Sequence, residues 1–214
     1  MTKKHISLAD QAYDIIRTNI LNLTYPPDMP LTETKLTEDL AMSRSPIRTA
    51  IKTLQAEGLI VGDYYKTMRV KAITDKDIHE IYQLRELLEG DAFLEIFKSG
   101  RYEEFSYRIE ERVVRMCAAA GNIYEWELAD TKMHMEIVSI YENSRINRIY
   151  ENNLSELVRM GQRSVKNGMD MEKTNENLKR MIQLMRDNDY ENAYKILRGD
   201  HFIIGKTTAL SRIE

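Results

Sequence analysis

The sequence predicts a mainly α-helical protein, with an N-terminal winged helix-turn-helix followed by an all-helical antiparallel bundle. Three observations lead to this fold class. All four prolines lie between Pro26 and Pro46, and the rest of the chain shows apolar residues at helical spacing. Three short helical patterns precede Gly58, and two short strand patterns follow it. Net charge also differs along the chain, because residues 1–74 are basic and residues 75–214 are acidic.

Composition is typical of a globular protein that is not embedded in a membrane. The 214 residues are 43% hydrophobic and 30% charged, with a net charge of −3. This length suits two small domains or one large one, and we place the boundary between residues 1–74 and 75–214. No apolar run is long enough for a membrane span, and Cys117 has no second cysteine to pair with. We therefore expect a cytoplasmic protein without a membrane partner.

The basic charge is concentrated in one segment. Residues 1–74 carry a net charge of +2, whereas residues 75–214 carry −5. Residues 44–71 contain six basic residues and two acidic ones. A local basic patch on an acidic protein is the pattern expected of a nucleic-acid surface.

The first domain contains three predicted helices and a hairpin. Helix one covers residues 8–23 and is stopped by the prolines at 26 and 27. A short second helix covers residues 33–40, and a tight turn at 41–43 leads to a third at 46–57, which Gly58 ends. Strands at 59–61 and 68–71 would form the wing.

The third helix has one apolar face and one polar face without acidic residues. Ser45 is predicted to cap it and Pro46 to begin it. Arg44 and Arg48 lie at the same helix start, where the helix dipole disfavours cations. Phosphates and guanine edges in a DNA major groove would supply larger, charge-assisted contacts. The alternative is a solvated polar face on a small helical domain. The polar face carries Ser45, Arg48, Thr49 and Lys52, and the apolar face carries Ile47, Ala50, Ile51 and Leu54.

Residues 8–73 resemble the DNA-binding domain of the GntR family of bacterial regulators. The resemblance rests on the segments PPDMPLTETKL (26–36), SRSPIRTAIKTLQAEGL (43–59) and DYYKTMRV (63–70). It implies that Arg44 and Arg48 are the main DNA-contacting arginines, that Ser45 contacts a phosphate and that Lys66 lies in the wing over the minor groove. Thr34 and Thr67 depart from the family pattern, which commonly has Arg and Gly there. The operator sequence is therefore expected to differ from the usual half-site.

The second domain is predicted to be a succession of six helices. Short breaks rich in Gly, Asn, Ser and Asp separate the helical patterns. Most of the Met, Leu and Ile stripes are expected to form the bundle core. The helices are expected at about 75–98, 101–120, 123–142, 145–167, 174–187 and 190–211.

Three polar residues on apolar stripes of this domain are candidate metal ligands. Asp130 and His134 lie one turn apart on the face that also carries Trp126, Met133, Ile137 and Tyr141. His201 lies among Ala193, Leu197 and Ile204 on the last helix. One Asp and two His converging inside a bundle would suit a divalent cation with nitrogen and oxygen ligands. The alternative is a buried, hydrogen-bonded Asp–His pair.

Arg85 is a further polar residue that is expected to face inward, and it is a candidate for binding an anion. It lies on the stripe of its helix that would face the core. A buried guanidinium needs an anionic partner, which would be a ligand carboxylate or the carboxylate of Glu80 or Glu89 on the same helix.

Residues 75–205 resemble the FCD ligand-binding domain of the FadR-type subfamily. The matching segments are DIHEIYQLRELLEGDA (77–92), DTKMHMEIVSIYEN (130–143) and DYENAYKILRGDH (189–201). The resemblance implies a zinc, nickel or manganese ion held by Asp130, His134 and His201. The fourth ligand of the family, a histidine, aligns with about Leu178, next to Asn177. Water or the effector would fill that position, and Arg85 would face a small organic acid or sugar acid.

These features predict a ligand-responsive transcriptional regulator rather than an enzyme. We expect a homodimer, because one winged helix reads a half-site and a two-fold protein matches a palindromic double-stranded DNA operator. Repression released by the effector is the commoner arrangement in the resembled family. The alternatives are a metal-free regulator with a more apolar effector, a metal-dependent hydrolase, and a helical interaction or architectural module without an effector. The hydrolase would need an acid–base residue beside an activated water, and the sequence identifies none.

Overall fold

The computed structural model describes residues 6–62, 68–119 and 121–211. The chain forms two compact units that divide between Ile73 and Thr74. Within the described residues, the helices are too short or too polar for any of them to cross a membrane.

The first unit consists of three helices and a small sheet. The elements are α1 (Leu8–Leu21), β1 (Pro30–Leu31), α2 (Glu33–Leu40), α3 (Arg44–Ala56), β2 (Ile60–Val61) and β3 (Met68–Val70). The strands pair in the order β1-β3-β2, and both pairings are antiparallel. The sequence predicted β2 and β3 but missed β1, because a segment of two residues is too short to show a strand periodicity.

Local capping fixes where these helices begin. Ser7 and Asp10 form a reciprocal capping box at α1, and the side chain of Thr32 accepts a hydrogen bond from Lys35 N at α2. The predicted cap of α3 was wrong. Ser43, not Ser45, occupies the N-cap position, so α3 begins two residues earlier than expected and its cap makes no side-chain hydrogen bond. A left-handed residue, Ala41, makes the turn between α2 and α3 short enough for this earlier start.

The second unit is a helical bundle, as the sequence predicted. Each predicted helix appears within a few residues of its expected bounds. Thr74 and Asp77 form a capping box that begins α4 at the unit boundary. The elements are α4 (Asp75–Lys98), α5 (Tyr102–Ala118), α6 (Ile123–Val138) with a 3₁₀ turn at Ser139–Tyr141, α7 (Ser144–Lys166), α8 (Met171–Arg186), α9 (Tyr190–Ile196), a π-helical segment (Leu197–Ile204) and α10 (Gly205–Leu210).

Large apolar side chains from α4, α5, α6 and α8 form the core of the bundle. Trp126 of α6 is fully buried, and its indole Nε1 donates a hydrogen bond to Asn175 Oδ1 of α8 at 3.0 Å. Pairing this indole N–H allows the largest side chain of the core to be buried without an unsatisfied donor.

The last predicted helix is interrupted by the π-helical segment, which the sequence did not predict. A wider turn changes which residues share a face, because the hydrogen bonds run from i to i+5. Leu197 and His201 are buried, as expected, and Phe202 is buried with them. Ile204 is 41% exposed, so its predicted inward orientation was wrong.

Candidate DNA-binding surface and metal centre

The polar face of α3 is exposed, and its apolar stripe is buried. Arg44, Ser45, Arg48, Thr49 and Lys52 all have exposed side chains. The stripe opposite them is at most 1% exposed, and it consists of Ile47, Ala50, Ile51 and Leu54. The segment 63–67, which includes the predicted wing residue Lys66, lies outside the described residues.

A carboxylate on the preceding helix holds the Arg48 guanidinium. Arg48 Nε donates to Glu33 Oε1 at 2.8 Å and to Glu33 Oε2 at 3.0 Å. Glu33 is in the first turn of α2, where its negative charge is favoured by the helix dipole. Its carboxylate also offsets the unfavourable position of Arg48 near the start of α3. The sequence analysis did not foresee this partner, because it lies 15 residues away in another helix.

The second unit brings Asp130, His134 and His201 together in its interior. His134 Nε2 lies 3.1 Å from His201 Nδ1 and 3.4 Å from Asp130 Oδ2. His201 Nδ1 lies 3.6 Å from Asp130 Oδ1. Each residue is at most 7% exposed. Helix α6 supplies the first two residues from adjacent turns, and the π-helical segment supplies the third.

The second ring nitrogen of His134 faces another buried carboxylate. His134 Nδ1 lies 2.5 Å from Glu89 Oε2 of α4, a residue with no exposed surface. The two atoms are close but do not have hydrogen-bond geometry. A neutral His134 with its proton on Nδ1 would leave the lone pair of Nε2 directed at the cluster. Histidine ligands of metals usually carry such an outer carboxylate, which fixes the tautomer and the ring orientation.

Arg85 and Tyr150 hold Glu89 in place. Arg85 Nε donates to Glu89 Oε1 at 2.8 Å, and the Tyr150 hydroxyl donates to the same oxygen. The same-helix ion pair considered for Arg85 is thus formed. Arg85 Nη2 is buried and has no hydrogen-bond partner among the described residues, so one donor remains for a further anion.

Burial and neighbouring charges shift the pKa values in opposite directions. Burial opposes the ionised form of Glu89, but the charges of Arg85 and His134 outweigh it and hold the pKa of that carboxyl well below its usual value. Burial also opposes the protonated form of His134, yet Glu89 and Asp130 together raise its pKa. Burial lowers the pKa of His201 to about 3, so this imidazole is neutral at pH 7 and able to ligate an ion.

The spacing of these three side chains suits a divalent cation. Ligand atoms about 2.0–2.2 Å from one ion, at tetrahedral or octahedral angles, lie about 3–3.5 Å from one another. The observed separations of 3.1–3.6 Å are close to this range. His201 Nε2 and Asp130 Oδ1 are buried without hydrogen-bond partners among the described residues, so the protein itself does not fully satisfy the cluster. Nitrogen and oxygen donors of this kind hold zinc, nickel or manganese.

The predicted gap in the ligand set coincides with an apolar residue. Leu178 is fully buried in the bundle core and offers no donor. Its neighbour Asn177 donates a hydrogen bond from Nδ2 to Asp200 Oδ2 at 2.6 Å. The amide of Asn177 is therefore engaged with another residue rather than directed at the cluster.

The cluster lines a small cavity that also contains Glu127, which the sequence analysis missed. The cavity measures about 20 Å³ and is lined in part by Arg85, Glu127, Asp130, His134 and His201. Such a volume holds one water or one ion. Burial, followed by the negative charge of Asp130, raises the pKa of Glu127 well above its usual value. The sequence did carry a signal, since Glu127 precedes Asp130 by three residues on the same helix face.

Three proteins of known sequence share about a quarter to a third of the aligned residues. An uncharacterized HTH-type transcriptional regulator, YdhC of Bacillus subtilis, is 27% identical over 66% of this chain and 64% of its own length. The probable D-xylose utilization operon transcriptional repressor of Paenarthrobacter nicotinovorans is 27% identical over 67% and 64%. The gluconate operon transcriptional repressor of Bacillus licheniformis is 30% identical over 57% and 50%. This chain thus spans between half and two thirds of these relatives.

Solved structures share the fold along nearly the whole chain. A crystal structure from Rhodococcus sp. RHA1, described as a GntR transcriptional regulator, superimposes with a TM-score of 0.75 at 17% identity and covers 96% of this chain and 99% of its own. Lar, which controls the Listeria monocytogenes agr system, gives a TM-score of 0.68 at 21% identity and covers 97% and 98%.

Two family patterns match the two units in turn. The pattern of "Bacterial regulatory proteins, gntR family" matches residues 8–62, and that of the "FCD domain" matches residues 80–200. The second match covers more than half of the chain, contains Asp130 and His134, and ends one residue before His201. The chain therefore belongs to the GntR family of bacterial regulatory proteins, and it carries an FCD domain after its winged helix-turn-helix.

Proposed function

We propose that this protein is a transcriptional repressor that binds a palindromic operator as a homodimer and is controlled by a small carboxylate effector in the helical unit. The observation that carries the proposal is the exposed face of α3, which presents Arg44, Arg48 and Lys52 without an acidic residue. In this proposal the first unit binds DNA and the second unit, which begins at Thr74, binds the effector.

The contact between Arg48 and Glu33 supports a role for Arg48 at a base edge. A guanidinium whose Nε is fixed by two carboxylate oxygens samples fewer conformations than one on an unrestrained side chain. Bidentate recognition of guanine requires such a fixed orientation, whereas a phosphate contact tolerates a mobile one. Arg44 and Ser45 in the first turn, with Thr49 and Lys52 farther along, would contact the backbone beside it, and Lys66 would do so from the wing.

The cluster of Asp130, His134 and His201 supports an effector that carries a carboxylate. An ion held by Asp130, His134 and His201 would supply positive charge to bind a carboxylate and a neighbouring hydroxyl of the effector. Arg85 Nη2, buried and without a partner among the described residues, would donate to the same anion. D-gluconate is the first compound to test, because two relatives are named gluconate operon repressors.

Access to the cluster would require movement of Tyr150. The cavity of about 20 Å³ is too small for a sugar acid, but an open groove of about 520 Å³ lies beside it. Pockets for small molecules usually measure about 300–1,000 Å³. Tyr150 lines both spaces, and its hydroxyl donates to Glu89. An effector in the groove would therefore reach the cluster by displacing this ring, and the displacement would disturb the contact between Glu89 and His134.

The experiment that tests DNA recognition begins with operator selection. The full-length protein selects sites from random duplexes, and the affinity for the selected and a scrambled site is then measured over a salt series. Arg48→Ala should weaken operator binding by about 1–3 kcal/mol and relax one base position in each half-site. Arg198→Ala is the matched control, because it removes the same charge from an exposed, ion-paired arginine of the helical unit. An equal loss of operator affinity in both variants would refute the assignment of α3 as the DNA-recognition helix.

The experiment that tests effector control uses the same operator. D-gluconate is titrated into the protein–operator complex with and without Mn²⁺, and release of the labelled duplex is followed by fluorescence anisotropy. We expect release that requires the ion and disappears in His134→Ala, while the affinity of that variant for the operator stays near wild type. Release by an apolar compound in the presence of a chelator would instead support the metal-free alternative.

A further inference from the structure

Glu127 is a buried carboxyl group, and one of its two oxygens has no hydrogen-bond partner in the part of the chain that the structure describes. Its side chain lies on α6, one turn before Asp130, and the residue is 2% exposed. Its Oε1 has no hydrogen-bond partner among the described residues. A carboxyl group removed from water without a compensating contact is strongly unfavourable. The position therefore needs an explanation beyond packing.

The neighbouring helix α7 leaves room for this carboxyl group at one residue. A Cβ placed on Gly161 would lie 1.8 Å from Glu127 Oε2, 2.4 Å from its Cδ and 2.8 Å from Oε1. Glycine weakens a helix interior, so its presence in the middle of α7 is consistent with the need to admit Glu127. The backbone of α7 thus keeps the carboxyl group in the cavity.

The charges around the cavity favour a cation. Glu127, Asp130 and Glu89 are three acidic groups in or beside it, whereas Arg85 is the permanently charged base among the described lining residues. Arg85 is already paired with Glu89. Asp130 faces the two imidazoles. The charge of Arg85 acts on Glu127, but the two side chains form no ion pair among the described residues.

We infer that Glu127 is the fourth protein group of the cation site, where its negative charge supports a cation that lacks the ligand Leu178 cannot provide. This inference rests on the cation site of the proposed function. Glu127 is not a member of the ligand cluster formed by Asp130, His134 and His201. It therefore acts from the outer side, by accepting a hydrogen bond from the water that completes the coordination of the ion.

The test measures ion affinity in four proteins, with Mn²⁺ followed by electron paramagnetic resonance and Zn²⁺ by competition with a chromophoric chelator. The proteins are the wild type, Glu127→Gln, Glu125→Gln and His134→Ala. Glu125→Gln makes the same chemical change at an exposed position of the same helix. Loss of an outer carboxylate at a metal site typically weakens binding by about 10–100-fold. We expect a loss of that size in Glu127→Gln, no loss in Glu125→Gln and no specific binding in His134→Ala.

The outcomes separate this inference from the proposed function. A wild-type protein that binds no tighter than His134→Ala would overturn the cation site itself. A wild-type protein that binds specifically, with equal affinity in Glu127→Gln and Glu125→Gln, would overturn only the role of Glu127. Gly161→Ala serves as a second variant if Glu127→Gln does not fold, because it displaces the carboxyl group without removing it. Unchanged affinity in Gly161→Ala would also count against the inference.

Discussion

Replacing Gly161 with alanine tests whether the backbone of α7 accommodates the carboxyl group of Glu127. The new Cβ would lie 1.8 Å from Glu127 Oε2, whereas Cβ atoms essentially never approach another heavy atom within 3.0 Å. The carboxyl group would therefore have to move by more than about 1 Å. Because Glu127 is buried, the carboxyl group would have to move within the small cavity that it lines, against the neighbouring side chains.

The magnitude follows from two opposing effects. Alanine is favoured over glycine in a helix interior by about 1 kcal/mol. Overpacking of a well-packed interior costs about 1–3 kcal/mol, and a contact this short belongs at or above the upper end of that range. We expect a net loss of about 2 kcal/mol in the free energy of unfolding. For a chain of this size, such a loss corresponds to a fall of about 4–8 °C in Tm.

A double-mutant cycle isolates the contact. Gly161→Ala is measured by urea denaturation in the wild type and in Glu127→Ala, where the obstructing side chain is absent. The substitution should be destabilising in the first background and stabilising by about 1 kcal/mol in the second, which gives a coupling of about 3 kcal/mol. Gly199→Ala is the control, because a Cβ there meets no atom within 4 Å. Equal effects of Gly161→Ala in both backgrounds would refute the contact.

Three further predictions follow from the buried groups and from the helix caps. The folded state raises the pKa of Glu127, so the stability that this group contributes is present below pH about 4.5 and is lost as pH rises. Glu127→Gln should therefore be more stable than wild type at pH 8 in the presence of chelator. This gain in the free energy of unfolding, measured by urea titration, should vanish near pH 4. Tyr150→Phe removes a hydrogen bond to the charged Glu89. It should speed the release of bound Mn²⁺ to excess EDTA by about tenfold in stopped-flow measurements. An unchanged rate would exclude Tyr150 as the group that limits access to the cluster. Thr74→Ala removes the capping box of α4 and should lower the free energy of unfolding by about 1 kcal/mol, as measured by calorimetry.

The sequence was most informative where one helix face determines the structure. The buried stripe of α3 and the inward positions of Asp130 and His134 follow from helical periodicity, since these residues lie on regular α-helices. His201 was also correctly placed inward, although a π-helical segment interrupts its helix. The start of α3 was wrong because Ser43 and Ser45 are both acceptable caps, and only the left-handed turn at Ala41 decides between them.

The polar surroundings of the cluster could be predicted only in part. Glu89 was one of two same-helix partners considered for Arg85, and its contact with His134 depends on how α4 and α6 pack against each other. Glu127 was missed because a glutamate on an otherwise apolar helix is usually assigned to the surface. Besides its position three residues before Asp130, a second signal could have revealed it, namely Gly161, an isolated glycine in a long helical pattern.

The π-helical segment restricts how the length of this chain can vary. Loops between helices usually tolerate an added or deleted residue. The segment Leu197–Ile204 differs, because His201 on one side must reach the cluster while Gly205, which follows it, packs against α7 and accepts a hydrogen bond from Ser164 Oγ at 2.9 Å. Deleting one residue between His201 and Gly205 would turn the end of the helix by about 100° and separate these two contacts. In this helix, the number of residues is as constrained as their identity.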